Sequence, residues 1–394
     1  MAHGTSSRQT ALQFILLLGF VSLSADITYE GARSIVGPFF ALLGASATAV
    51  GMVAGLGELA SYGLRLFSGY LADRTKRYWA ITLVGYALNL FAVPLLALAG
   101  RWELAAFLLI LERVGKAIRT PARDAMLSHA TATVGRGWGF GLHEMLDQVG
   151  AVLGPLVVAG VLAASGSYQL AFGSLLLPAL VALVALAVAR AQYPRPRDLE
   201  RTAGGLEAKE FPRVFWIYLG AVGCIAAGYI DFPLMAYHFK QRAIAPEDWI
   251  PMFYAVAMGV DALAALLFGR LFDRAGIGIL IAVPLISALA GPLVFLGGQG
   301  SAWMGVILWG MGIGVQESVM RAAVAGMVGV EKRGSAYGVF NAGFGTSWFL
   351  GSALMGALYD ISPRSLVGFS VLMELASIPL LLLTAQRFRI IQRT

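Results

Sequence analysis

Apolar residues fill this chain in long blocks, broken by short polar stretches rather than alternating with polar residues at the period of a water-facing helix. Twelve blocks stand out, at roughly 12–32, 46–71, 78–100, 103–126, 137–164, 168–190, 213–238, 250–271, 277–297, 302–326, 335–358 and 365–385. A helix of about 20 residues spans the ~30 Å hydrocarbon core of a bilayer. Backbone groups in hydrocarbon must pair within their own segment, so each block predicts a helix. The expected fold is therefore an all-α membrane protein of twelve transmembrane helices. The most polar stretch, 192–212, holds Pro194, Pro196, Gly204 and Gly205. It predicts a cytoplasmic linker between a six-helix bundle at 1–191 and another at 213–394.

The two bundles are expected to be pseudo-symmetric, because the pattern repeats. Arg136-Gly137-x-x-x-Gly141 recurs as Arg333-Gly334-x-x-x-Gly338, 197 residues later. At the same offset Gly115 meets Gly312 and Gly154 meets Gly351. GYLADRTKR (69–77) meets GRLFDRAG (269–276) at an offset of 200. Repeated halves in a helical membrane protein point to a transporter with its site at the repeat interface.

Composition sharpens this picture. The chain is 58% hydrophobic and 13% charged, against about 25% charged in soluble domains, and its mean hydropathy is +0.75. A single cysteine, Cys224, excludes an internal disulfide, and no metal-ligand cluster is evident. The first block runs past the length of a signal core, so no cleavable signal peptide is expected. The net charge of +7 does not point to nucleic acid, because the basic residues gather at block ends on alternate loops. Loops of one parity hold Arg74, Lys76, Arg77, Arg123, Arg136, Arg270, Arg274, Lys332 and Arg333, whereas the others hold little beyond Arg101, Lys240, Arg242 and Arg364. The positive-inside rule then puts both termini in the cytoplasm; the expected location is the inner membrane.

Charges inside the blocks are the candidate chemistry, since a charge at mid-bilayer costs about 2.5–3.5 kcal/mol on insertion scales. Block 1 carries Asp26 and Glu30 one turn apart, then Arg33; a position at the watery outer rim is the alternative to a proton-coupling role. Block 7 places Asp231 opposite Glu30 in the repeat. Glu58, Tyr62, Arg65 and Gly69 form one stripe on block 2 leading to Asp73, with a structural Glu–Arg pairing as the alternative. Block 4 carries Glu112, Arg113, Lys116, Arg119, Arg123 and Asp124, the last two expected in a gating ion-pair network with Asp73. Block 5 aligns His143, Asp147, Gly150 and Gly154, with Glu144 one position away. His143 is either a titrating group or a packing histidine. In the second half Asn341 and Phe344 stand where the first half has Glu144 and Asp147. That asymmetry assigns proton coupling to the first half and substrate shaping to the second. Cavity candidates are Tyr62, Lys116, Asp231, Asp261, Glu317, Phe340, Asn341 and Phe344. Glu317 and Arg321 are spaced to pair locally, Glu374 lies in block 12, and Tyr229, Phe232, Trp309 and Trp348 are further candidate aromatic walls.

GYLADRTKR resembles the G-x-L-a-D-R-x-x-R signature between helices 2 and 3 of the major facilitator superfamily. Gly69, Asp73, Arg74 and Arg77 match, and Lys76 replaces the usual later glycine. The second copy retains Gly269, Asp273 and Arg274. The resemblance implies that Asp73 latches the cytoplasmic side and that Arg113 is the family's buried helix-4 arginine, associated with proton coupling. An arginine stays charged at working pH, so it cannot carry the proton itself, but its approach or withdrawal governs whether a nearby carboxylate holds one. Gly150-x-x-x-Gly154-Pro155 is similar to the family's antiporter motif on helix 5, where small residues permit close approach and proline allows a kink. Val158 and Ala159 depart from the later glycines of that motif.

There is no G-x-x-x-x-G-K-[ST] loop, so ATP-driven transport is not expected. Neither a cofactor nor an enzymatic constellation is expected; His143, Glu144 and Asp147 have no further His or Cys beside them in the sequence. The expected function is secondary active transport of a small organic solute by alternating access, as proton-coupled efflux. One proton crossing ~150 mV supplies about 3.5 kcal/mol, which supports a neutral-solute gradient on the order of 300-fold. The alternatives are a proton-coupled importer of an organic anion, motivated by Arg65, Arg113, Lys116 and Arg119, and a non-transporting sensor with the same fold. The expected partners are the substrate, protons and the lipid bilayer, and the family resemblance implies a monomer.

Overall fold

The computed structural model describes residues 2–134, 136–194, 211–320, 323–324, 327–328 and 333–391, without the side chains of 2–7, 73, 132–133, 136–137, 273, 275, 317–318, 333–335 and 389–391. Helices dominate and no strand occurs among the described residues. In chain order they are α1 (Ala2–Leu42), α2 (Ala47–Thr75), α3 (Tyr78–Leu95), α4 (Trp102–Val134), α5 (Arg136–Ser165), α6 (Tyr168–Ser174) and α7 (Leu176–Gln192). There follow α8 (Arg213–Gly228), α9 (Phe232–Gln241), α10 (Ile250–Ala275), α11 (Ala282–Phe295), α12 (Gln299–Val315), α13 (Arg333–Ile361) and α14 (Pro363–Ile391). With α6–α7 and α8–α9 each making one broken pass, the described helices form the twelve passes expected from the blocks. Eight of the spans are long and apolar enough to cross a membrane by length and composition alone. The charge-bearing α2 and α4 are not among the eight. Large apolar side chains such as Phe107, Leu177, Leu263 and Leu372 are exposed, as a lipid-facing surface requires.

The chain divides into two compact units. One comprises residues 1–35 and 60–204, the other residues 36–59 and 205–394. Helices α1 and α2 therefore each contribute to both. In the first unit, Phe14 packs edge-on against Trp79 and Tyr193, and Trp79 Nε1 donates to the Tyr193 carbonyl at 3.0 Å. In the second, Phe232, Tyr254 and Trp309 form an aromatic core, and Trp309 Nε1 donates to the Ile230 carbonyl at 2.7 Å. This bond and that of Tyr229 Oη to the Trp309 carbonyl brace the break between α8 and α9.

The repeat read in the sequence is visible inside each unit. A Cβ at Gly154 on α5 would stand 2.5 Å from the Ile27 carbonyl oxygen of α1. Its repeat mate Gly351 on α13 presses in the same way on Ala227 of α8. Gly115 of α4 lies against Asn89 of α3, and its mate Gly312 of α12 lies against Ser287 of α11. Helix pairs that associate in lipid do so through such small residues.

The turn after α2 explains the departure at Lys76. Lys76 has φ 58°, and its N–H donates to the Ala72 carbonyl at 2.8 Å, closing the helix in the left-handed cap that glycine usually provides. The second copy keeps glycine at the equivalent position, Gly276, with φ 67°. A non-glycine residue there costs about 1–2 kcal/mol, partly offset by glycine's greater chain entropy. Lys76→Gly is therefore expected to stabilise the protein by about 1 kcal/mol, and Gly276→Lys to destabilise it by more, because φ 67° with ψ −155° is open essentially to glycine alone. Thermal melting of the two variants in one detergent checks this; a lower melting point for Lys76→Gly would refute it.

Within the second unit, Asp360 at the end of α13 caps α2. Its carboxylate accepts from Ala47 N at 3.0 Å, Thr48 N at 2.9 Å and Thr48 Oγ1 at 2.6 Å. An acid there satisfies orphan N–H groups and complements the helix dipole. Asp360→Ala is expected to cost about 1–2 kcal/mol, read as a lower melting temperature, whereas Asp360→Asn retains most of that stability.

Candidate functional site

The densest polar constellation lies in the first unit, where α1, α3, α4 and α5 bring their charged faces together. On α4 the buried Glu112 pairs with Arg113 (Nε to Oε2, 3.3 Å) and accepts from Asn89 Nδ2 of α3 at 2.7 Å. One turn on, Lys116 Nζ stands 3.9 Å from the centre of the Tyr29 ring of α1. Arg119, 1% exposed, places its guanidinium 4.2 Å from the Tyr86 ring centre. Buried cations seated on aromatic faces keep part of the stabilisation that water would give.

The next turn of α4 carries Arg123, which ties the constellation together. It donates to Asp124 Oδ1 from Nε at 2.9 Å and to Ser22 Oγ of α1 from Nη1 at 2.9 Å. The same Nη1 lies 3.9 Å from Asp147 Oδ2 of α5. Ser22 Oγ is 3.2 Å from His143 Nε2, and that nitrogen is 3.7 Å from Asp147 Oδ2. Asp26 lies within electrostatic reach of Asp147, Lys116, Arg119 and Glu30. Both Asp26 and Glu30 are buried. Arg119 Nε and Nη1, His143 Nδ1 and Asp147 Oδ1 are buried without a hydrogen-bond partner among the described residues. The cluster thus holds carboxylates beside fixed cations, with donor and acceptor capacity left over. That arrangement can exchange a proton or a polar solute.

Close approach of α1 and α5 makes this geometry possible. A Cβ at Gly150 would stand 2.8 Å from Asp26 Cβ, and Gly154 meets Ile27 and Gly31. Pro155 lies inside α5 immediately after. Glu144, by contrast, is exposed, although it shares α5 with His143 and Asp147. On α2, Glu58 and Tyr62 are half-buried, and Arg65 donates to Ser61 Oγ at 3.2 Å while lying 5.1 Å from the Tyr62 ring centre.

In the second unit Asp231, at the break before α9, is buried and accepts from Trp348 Nε1 at 3.0 Å and from the Ser352 hydroxyl. Asp261 on α10 is buried against Gly314 of α12. Phe340, Phe344 and Trp348 form a ladder down α13, and Tyr218 of α8 stacks on Phe340 with ring centres 6.2 Å apart. Asn341 beside them is half-buried. The side chain of Glu317, and the whole of Arg321, its expected partner, lie outside the described residues.

Of the gating candidates, Gly69 is half-buried, and a Cβ there would touch Pro121 at 3.4 Å. Arg74, Arg77 and Arg274 are exposed. The side chains of Asp73 and Asp273 lie outside the described residues, as does most of the linker. Arg123 and Asp124 form the expected pair. Ser22, Tyr29, Tyr86 and Asn89 were not singled out from the sequence. The available signal was a polar side chain inside an otherwise apolar run, clearest for Asn89 in block 3.

Comparison with known proteins agrees with this architecture. The sequence pattern of the Major Facilitator Superfamily matches residues 18–351. A protein of Mycobacterium tuberculosis described as "Uncharacterized protein Rv2265" is 44% identical over 376 residues, covering 94% of this chain and 92% of that one. The multidrug resistance protein MdtH of Proteus mirabilis is 31% identical over 163 residues, 40% of this chain and 38% of that one. Among solved structures, a D323A mutant of the nucleoside transporter NupG superposes with a TM-score of 0.77 at 14% identity, over 93% of this chain and 99% of that one. With twelve helical passes, an internal repeat and a family match across most of its length, the chain belongs to the Major Facilitator Superfamily of multi-pass membrane transporters.

Proposed function

We propose that this transporter is a proton-coupled exporter that moves a small organic compound out of the cytoplasm through the inner membrane. The observation that carries the reading is the Asp147–His143–Ser22–Arg123 constellation beside the buried Asp26, in which a half-buried carboxylate shares one guanidinium with a second acid. Protonation of Asp147 or Asp26 weakens that carboxylate's hold on the cations of α4, and deprotonation restores it. A proton and a solute that compete for this network cannot be carried in the same half-cycle, which is antiport. Asp73, Arg74 and Arg77, with their second-half counterparts, act in this scheme as the cytoplasmic latch. Both termini lie in the cytoplasm. The stretch shared with a multidrug resistance protein supports efflux.

A second reading, uptake of an organic anion, draws on one observation. Arg119 Nε and Nη1 are buried donors without partners, as an anionic group would require. A growth panel in an efflux-deficient bacterium separates the two. Protein-dependent tolerance of toxic lipophilic cations or neutral compounds supports export. Protein-dependent sensitivity to toxic organic anions supports uptake. No change for any compound, with the protein shown to be in the membrane, would count against broad efflux.

A further inference from the structure

The second unit holds an ionisable group that the exchange described above leaves unused. Glu374 lies on α14 in a run that is otherwise apolar or hydroxyl-bearing, and it is 0% exposed. Neither of its carboxylate oxygens has a hydrogen-bond partner among the described residues. Its N–H and Met373 lie where α14 presses on Gly228, the last residue of α8. One turn away, Ser370 Oγ donates to the Gly228 carbonyl at 2.6 Å. Residues 229–231 then break the pass before α9. Glu374 therefore sits beside the brace of a discontinuous membrane helix, the kind of element at which transporters bind ions.

Among the described residues the surroundings offer it no counter-charge. Facing it from α8, the half-buried Cys224 is within electrostatic reach. Tyr218, the other nearby ionisable group of α8, gives its hydroxyl to the Met320 carbonyl. Helix α11 and the turn at 276–281, both packed on α14, contain no ionisable residue. On α13, Tyr359 Oη is engaged with His238 and Asp360 with α2, while Tyr337 lies within electrostatic reach of Tyr218. An ionised carboxylate buried with neither cation nor donor costs several kcal/mol, whereas a carboxylic acid carries its own proton and no net charge.

We propose that Glu374 is a proton-binding site of the second unit, occupied in this conformation and emptied when the break at 229–231 moves. The proton sits on a carboxylate oxygen and leaves to water once the α8–α14 contact at Gly228 opens. Opening that contact frees the Gly228 carbonyl and gives the carboxylate access to the donors it lacks. Proton occupancy would then report, and bias, the shape of the broken pass. The proposal does not depend on the direction of transport or on the solute.

Infrared difference spectroscopy of the full-length protein in lipid nanodiscs, wild type against Glu374→Gln, tests the first half. A protonated-carboxyl carbonyl band at neutral pH that is absent from the variant is expected. Its absence from the wild type would overturn the proposal. Tryptophan fluorescence tests the second half, because Trp309 and Trp348 contact residues 229–231. Titrating pH should give the wild type a transition that Glu374→Gln lacks. Identical titrations would show a permanently protonated, structural acid and would equally overturn it. Glu374→Met, apolar and of similar volume, repeats both measurements should the glutamine variant fail to fold.

Discussion

Asp147→Asn is expected to abolish solute-driven proton exchange while leaving the protein folded. Asparagine fills the same space, and the α1–α5 approach rests on Gly150 and Gly154 rather than on this charge, so the contact of α1 with α5 survives. It cannot take up a proton or present a full charge to Arg123, which stands 3.9 Å away. Arg123 keeps its bonds to Asp124 and Ser22, so its charge is not orphaned. If the proposed export holds, the tolerance that the wild type then confers should fall to that of an empty vector, a loss of tenfold or more in transport rate, or at least about 1.4 kcal/mol. The decisive measurement is proton release from everted vesicles on adding a compound that the wild type exports. Full exchange by the variant would remove Asp147 from the mechanism and leave Asp26 as the remaining candidate. Glu144→Gln provides the contrast: this acid is exposed, and its loss is expected to leave exchange intact.

Gly154→Leu is expected to prevent accumulation of folded protein. The new Cβ alone would meet the Ile27 carbonyl oxygen at 2.5 Å and the Gly31 nitrogen at 2.8 Å. Both are backbone atoms in the middle of a helix and cannot swing aside as a side chain can. Overpacking by a few methylenes costs about 1–3 kcal/mol where neighbours can yield; here they cannot, and the cost should exceed that range. Gly160→Leu on the same helix has open space within 4 Å and serves as the control. Size-exclusion profiles after detergent extraction should show a single peak for Gly160→Leu and aggregate for Gly154→Leu. Equal profiles would mean that α1 and α5 do not approach as described.

What could be read in advance followed from period and length. Hydrocarbon leaves helices as the only economical structure, so the twelve blocks translated into twelve passes. Gly150 and Gly154 announced a close helix contact because small residues four apart share a face. The Arg123–Asp124 pair was foreseeable from chain neighbourhood. By contrast, the bond from Asn89 to Glu112 joins residues on different helices, and only the crossing of α3 over α4 at Gly85 and Gly115 brings them together. Asp231 was legible as a buried acid but not as the acceptor of Trp348 and Ser352, more than 100 residues away. The interruption of the seventh block at 229–231 was also hidden. Apart from Asp231 the block stays apolar across the break, and Pro233 at the start of α9 is the backbone hint of it.

The assignment of residues 36–59 to the second unit bears on how such a chain can recombine. A chimaera joined at the polar stretch 192–212 would seem to exchange one half for that of a relative. It would in fact separate Gly51 and Gly55 of α2 from Phe349 and Ser352, and the amino end of α2 from Asp360. Each foreign half would have to supply a matching row of small residues and a matching acid. Exchange between lineages is thereby confined to halves that have drifted little at this seam, or to segments that carry residues 36–59 along with the carboxyl-terminal half.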